Sequence, residues 1–185
     1  MSSATPKLFV ISGPSGAGKG TLVARVRDRV PSLGLTVSAT TRAPRPGEVD
    51  GVSYHFMSED EFTAHVNAGD FLEWAQVHAH RYGTLVSEID RNLKDGNSLI
   101  LEIDVQGALN VKKRIPSAVL VFIEPPSLEV LRERLACRGT EDDASVELRM
   151  RNALVEMELA DRYDVRVVND DLDVATDELV NILTS

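Results

Sequence analysis

Apolar residues recur along the chain in two rhythms, short unbroken runs and faces spaced at three or four residues, and the two mostly alternate. Residues 8–11 form the first unbroken run, a buried strand, and Leu22, Val23, Val26 and Val30 mark one face of a helix over 21–30. A second strand is expected over 36–39. The rhythm then loosens: "TTRAPRPGEVDG" reads as a loop and 52–57 as extended chain. Ser58, three residues before Glu61, predicts a capping box that opens a helix to 67, with Gly69 just beyond. "FLEWAQV" is strand-like, and "HAHRYGT" reads as its turn. Regular alternation returns with a helix over 87–94 stopped by Gly96, strand "SLILEID", a helix ended by Pro116 and strand "AVLVFIE". A helix over "LEVLRERLA" follows, then a break at "CRGTEDDAS", a helix over 146–160, strand "VRVVN" and a closing helix capped by Asp173.

Strands separated by crossover helices predict an α/β fold, a parallel sheet covered by helices on both faces with ligands at the carboxyl ends of its strands. The short strands and single helix within 37–85 do not fit that alternation. They are expected to form an inserted small mixed β/α domain, leaving 1–36 and 86–185 as the core of one domain over 1–185.

The chemistry begins where the first strand meets the first helix, in "VISGPSGAGKGT". Gly13, Gly16 and Gly18 permit positive φ and close approach, so the loop of Gly13, Pro14, Ser15, Gly16, Ala17 and Gly18 can wrap a phosphate with the backbone N–H groups of all but Pro14. Lys19 adds a mobile positive charge for the β- and γ-phosphates. The stretch matches the phosphate-loop pattern G-x-x-x-x-G-K-[ST] except that Gly20 stands at the hydroxyl position. Thr21 is next and is expected to supply that hydroxyl near Mg²⁺, directly or through water.

Composition narrows the partners. The 185 residues carry 20 Lys and Arg against 29 Asp and Glu, a net charge of −9, which opposes broad binding to nucleic acid or anionic membranes. A phosphate site must therefore be a local arginine cluster. The single cysteine, Cys137, can form no internal disulfide and suits a reducing compartment. No run reaches the length of a membrane span, and "MSSATPK" has no signal-peptide core, so a cytoplasmic location is expected.

Arg42 and Arg45 supply a second anion site. The prolines at 44 and 46 restrict their loop, and the planar guanidinium suits a phosphate. Tyr54 and Tyr82 add phenolic donors. Two carboxylates, Glu73 in "FLEWAQV" and Asp104 at the end of "LILEID", could accept the N1–H and amino group of guanine, where adenine offers an acceptor. Composition and spacing alone do not separate GMP from another nucleotide.

Together the motifs amount to a resemblance. "FVISGPSGAGKGTL", "SATTRAPRPGEVDGVSYHF", "FLEWAQVHAHRYGT", "EIDVQG", "RLACRGTE" and "VVNDDL" follow in order over nearly the whole chain, and in this series the chain resembles the bacterial guanylate kinases. The resemblance implies a kinase that phosphorylates GMP, and dGMP, with ATP and Mg²⁺. It implies that Ser38, Arg42, Arg45, Tyr54 and Tyr82 hold the GMP phosphate, and that Glu73, Thr84 and Asp104 recognise or position the guanine nucleotide. Lys19, Arg134, Arg138 and Arg149 would gather around the transferring phosphates, with a lid at 137–147 closing over them, and Asn169 would lie near the adenine side. Gly20 replaces a commoner serine, Ala79 a common glycine, and Arg81 stands where polar or aromatic residues are frequent. Two other readings share some of these features: a noncatalytic guanylate-kinase-like binding module, and a P-loop kinase for another nucleotide or a phosphorylated sugar. No obligatory protein partner is implied, and a homo-oligomer is compatible with the pattern.

Overall fold

The computed structural model describes residues 5–77, 79–136 and 143–185. Strand β1 (Leu8–Ser12) is buried at every position and occupies the centre of a five-stranded sheet. On one side it pairs with β7 (Leu99–Glu102), which pairs in turn with β2 (Gly34–Leu35). On the other side lie β8 (Val119–Glu124) and then β9 (Val165–Val168). All four pairings are parallel, which explains the unbroken apolar runs: such strands have no solvent face.

Alternate residues of β1 serve opposite layers. Leu8 and Val10 face Ile89 of α3 (Val86–Lys94) and Val105, Ala108 and Val111 of α4 (Val105–Arg114). Phe9 and Ile11 face Leu22, Val23 and Val26 of α1 (Lys19–Arg29), together with Ala175, Leu179 and Leu183 of α7 (Leu172–Thr184). Each large side chain fully withdrawn from water in these layers contributes about 1.5–3 kcal/mol. A smaller cluster joins α5 (Leu128–Ala136) to α6 (Asp143–Met157) through Leu131, Leu135, Val146, Met150 and Ala153. No helix of the described residues is long and apolar enough to cross a membrane.

Between β2 and α3 the chain builds a second sheet from β3 (Ala39–Thr40), β4 (His55–Phe56), β5 (Phe71–Val77) and β6 (His80–Leu85), in the order β4-β3-β6-β5. Helix α2 (Glu59–Ala68) closes one side of it, with Phe62 fully buried and stacked on Phe71 at a centroid distance of 4.4 Å. The capping box at Ser58 and Glu61 is formed, and Gly69 ends the helix at φ 75°.

Several expectations shift. The strand placed at 36–39 is a passage between sheets: 34–35 pair with β7, and 39–40 open the small sheet. An extended run does not by itself say which sheet will receive it. "HAHRYGT" is largely strand rather than turn, because β6 is the inner strand between β3 and β5. Gly83, which reads locally as a turn signal, is small for another reason: a Cβ there would lie 2.8 Å from Phe71 Cδ1 and 2.9 Å from both the Glu73 carbonyl oxygen and Trp74 Cβ. Helix α1 begins at Lys19, α6 runs over 143–157, and α7 is capped by Asp171 through bonds from the N–H groups of Asp173 and Val174. Asp173, expected as the cap, instead pairs with Arg25.

Filling Gly83 should therefore strain the small sheet. Gly83→Ala is expected to cost about 1–3 kcal/mol in chemical denaturation, the usual range for overpacking a close-packed site.

Candidate active site

The loop between β1 and α1 takes a path that glycine makes possible. Gly13 has φ 142°, and a Cβ on it would stand 2.1 Å from the Ile123 carbonyl oxygen; Gly18 has φ 90°, and a Cβ there would stand 2.3 Å from Asn169 Nδ2. Gly18 is the N-cap of α1, whose first turn contains no acidic residue of its own, so the positive end of the helix dipole is available to an anion. Lys19 Nζ curls over the loop and donates to the carbonyls of Gly13 at 2.6 Å and Pro14 at 3.1 Å.

Three distant elements brace this loop. Asn169, buried after β9, donates through Nδ2 to the Ala17 carbonyl at 2.8 Å. Arg134 on α5 donates to the Asn169 carbonyl at 3.0 Å, and its Nη1, although buried, has no partner among the described residues. Arg149 on α6 donates to Ser15 Oγ at 2.5 Å. Two of the three expected phosphate-gathering arginines thus reach the loop directly or through one residue. Arg138 and Cys137, with most of the expected lid, lie outside the described residues.

A cleft of about 610 Å³ opens between this loop and the small sheet. Gly13, Ser15 and Lys19 line it from the core, and Ser38, Tyr54 and Tyr82 from the insertion. The two tyrosine rings meet edge to face at 6.0 Å. Arg42 sits behind them, its guanidinium carbon 5.5 Å from the Tyr54 centroid, held by Glu48 at 2.8 Å. Arg45 is exposed on the same loop. Arg81 turns to the other side of β6: it binds Glu59 and Thr63 and lies 4.7 Å from the Phe62 centroid, as the alternation of side chains along a strand requires when Tyr82 faces the cleft.

Glu73 and Asp104 come together as a pair of acids in the cleft wall. Glu73 is 9% exposed and accepts from the Thr84 hydroxyl at 2.7 Å, so Thr84 serves the site by orienting Glu73 from a buried position. Asp104 caps α4 by accepting from the Gly107 N–H at 2.8 Å, and a Cβ on Gly107 would lie 3.2 Å from Glu73 Oε2. Burial, with Asp104 nearby, pushes the Glu73 carboxyl above the ordinary carboxylate range, despite the opposing Thr84 bond. Among the further residues that line the cleft, and that local pattern did not single out, are Thr36, Ser53, Glu102 and Glu156. Burial raises the carboxyl groups of Glu102 and Glu156, and the Lys19 charge opposes that shift in both. Glu102 had a readable signal, an acid at the carboxyl end of a strand beside the phosphate loop; Glu156 looks like any exposed helical glutamate. Thr21 is exposed in the first turn of α1.

Solved structures bear first on the class of protein. Shikimate kinase from Bacteroides thetaiotaomicron superposes with a TM-score of 0.53 at 15% identity, covering 97% of this chain and 99% of that one, a likeness of fold alone. The fold is that of the P-loop kinases, with a second, smaller sheet inserted beside the cleft. The family model for guanylate kinase matches residues 5–185. Guanylate kinase from Gloeobacter violaceus is 51% identical over 177 residues, 96% of this chain and 86% of the relative, and that from Thermotoga maritima 46% over 179 residues, 97% and 86%. The crystal structure of guanylate kinase from Anaplasma phagocytophilum has a TM-score of 0.78 at 30% identity, covering 97% of this chain and 85% of that one. The chain belongs to the guanylate kinase family, and it is an enzyme.

The raised Glu73 carboxyl has a measurable sign. A carboxyl whose folded pKa exceeds its unfolded value weakens the fold once pH rises through that window, because the charged form is disfavoured inside. Glu73→Gln should therefore melt no lower than the parent near neutral pH, with any gain shrinking as pH falls toward the ordinary Glu value of 4.5. Thermal melts at several pH values check this.

Proposed function

We propose that the chain transfers the γ-phosphoryl group of ATP to GMP, forming ADP and GDP, and that it accepts dGMP by the same base and phosphate contacts. The observation that carries this reading is the pairing, across one cleft, of a phosphate loop with a wall that offers Ser38, Tyr54 and Tyr82 beside two acids, the buried Glu73 and the more exposed Asp104. The two acids are suited to the N1–H and amino donors of guanine; adenine presents an acceptor there and would leave a buried carboxylate unpaired, at about 1–3 kcal/mol. The insertion over 37–85 is read as the GMP-binding part, and Arg42 and Arg45 as the guanidinium groups that meet its phosphate. Such a reaction would belong to purine nucleotide metabolism and the recycling of GMP in the cytoplasm.

The chemistry asks for no general base. A GMP phosphate oxygen attacks the γ-phosphorus, the bond to the β-phosphate oxygen breaks, and ADP leaves; the acceptor is mostly ionised near neutral pH, its second pKa being about 6. What the chain's residues supply is alignment and positive charge where two polyanions meet. In this reading Lys19 releases the loop carbonyls for the donor's phosphates, and Arg134, Arg138 and Arg149 surround the group in transfer. Closure of 137–147 over the cleft would exclude water as a competing acceptor.

The oxygen donors at the start of α1 fit a small hard cation that arrives with the nucleotide. Glu102 places its two carboxylate oxygens 3.7 and 4.0 Å from where a Cβ on Gly20 would be, with the Thr21 hydroxyl one residue on. Among the described residues no three His, Cys, Asp or Glu side chains converge into a cage of their own. Glu102 and the Thr21 hydroxyl would hold Mg²⁺ there, and the chemistry it would supply is neutralisation of phosphate charge.

The test is ADP formation from ATP with each nucleoside monophosphate in turn. GMP and dGMP should support turnover and AMP, CMP and UMP should not; equal use of AMP would refute the assignment of Glu73 and Asp104. Lys19→Ala should lower kcat at least about a hundredfold, the loss typical of removing one charge-stabilising donor, while circular dichroism shows an intact fold.

A further inference from the structure

Glu48 folds back over the arginine loop and bridges two parts of it. Its Oε1 accepts from Arg42 Nη2 at 2.8 Å, and its Oε2 accepts from the backbone N–H of Arg45 at 2.7 Å. The Glu48 N–H returns a bond to the Arg45 carbonyl at 3.0 Å, so the turn 45–48 is closed by backbone and side chain together. Neither partner of the ion pair is loose: the Arg42 and Glu48 side chains are 12% and 22% exposed. Arg42 also donates through Nη1 to the Ala43 carbonyl at 2.8 Å, and its guanidinium carbon lies 5.5 and 5.9 Å from the centroids of Tyr54 and Phe56. The bond from Arg42 holds the Glu48 carboxyl below the ordinary range, so it is ionised near neutral pH.

Two roles are open to such a carboxylate. It could occupy the arginine as a stand-in for a phosphate and give way when one arrives, or it could hold the arginine in place for it. The geometry favours the second. Glu48 cannot leave without also releasing the Arg45 backbone, and among the described residues Glu48 and Ala43 take one each of the five guanidinium N–H donors of Arg42, with the Tyr82 hydroxyl of the cleft wall bonded to the same guanidinium. Donors remain on a fork already stacked against the Tyr54 ring that lines the cleft. An arginine without this brace would have to lose the rotamer freedom of a long side chain when the ligand binds, which weakens binding.

We propose that Glu48 is a positioning residue for the acceptor's phosphate. It orients the Arg42 guanidinium and fixes the Arg45 backbone, so that the loop is shaped for a phosphate monoester before one enters. The proposal rests on the reading of this loop as the monophosphate site, but not on which base the acceptor carries.

The experiment compares GMP with guanosine, which lacks only the phosphate, by isothermal titration calorimetry on the whole chain and on Glu48→Ala and Glu48→Gln. The glutamine amide can satisfy one of the two donors but turns an N–H toward the other, so both variants should fail to brace the loop. The expected result is a Kd for GMP raised about tenfold or more, on the scale of losing a preorganised charged contact, with the Kd for guanosine changed less than twofold. In turnover the KM for GMP should rise by more than kcat falls. Equal weakening of guanosine would overturn the proposal, because Glu48 would then be supporting the insertion as a whole. Unchanged or tighter GMP binding would overturn it too, making Glu48 a bystander or a competitor for Arg42. If the parent binds CMP or AMP as well as GMP, the base reading fails while the same nucleotide-against-nucleoside comparison still decides the role of Glu48. A parent that binds guanosine as tightly as GMP would refute the phosphate site and Glu48 with it.

Discussion

The backbone between β1 and α1 has no room for side chains at two points. At Gly13 a Cβ would collide with the Ile123 carbonyl of the adjacent strand, and at Gly18 with the Asn169 amide. Both residues also hold φ values that favour glycine. This tight path brings the amino end of α1 to the carboxyl end of the sheet's central strand, and other features of the cleft take their position from it. Lys19 can reach the Gly13 and Pro14 carbonyls because the loop is this short and curved, and Asn169, Arg134 and Arg149 can brace it because β9, α5 and α6 converge there.

An acidic chain that handles phosphates has to keep its positive charge in place. Here three arginines around the cleft and its glycine loop are each anchored by a neighbour: Arg42 by Glu48, Arg134 by the Asn169 carbonyl, Arg149 by the Ser15 hydroxyl. The acids that share the cleft, Glu73, Glu102 and Glu156, have carboxyl groups raised by burial, so the interior charges them reluctantly. Fixed donors in a partly dry cleft stabilise transferring charge better than mobile ones, because little reorganisation remains to be done when the charge moves. The bonds around Arg42 and those around the glycine loop have one thing in common: each ties a segment of the cleft's surroundings to a neighbouring element.

Much of this was legible from the chain's pattern, and what was missed shares one cause. Unbroken apolar runs gave the buried parallel strands, and Ser58 with Glu61 gave the start of α2, because those signals are local. The role of β6 was hidden, since Gly83 is required by the packing of Phe71 and Trp74 rather than by a turn, and that packing depends on residues up to a dozen positions away. The cap of α7 fell on Asp171 because Asp173 has a partner, Arg25, that is far away in the chain. In the cleft, the loop glycines, Lys19, the tyrosines and Glu73 were readable as residue types suited to a chemistry. Glu156 and the bridging function of Glu48 were not, because each is defined by what the fold brings beside it.

The central claim is that one cleft holds a donor and an acceptor phosphate chain end to end, the first on the glycine loop and the second against the small sheet. An adenosine and a guanosine joined through five phosphates would span both sites in a single molecule, and its affinity measures their alignment directly. The account predicts binding far tighter than either ADP or GMP alone, since the second half binds with the first already in place. An affinity no better than that of the tighter nucleotide alone would mean that the two sites cannot be occupied in line, and would contradict the account.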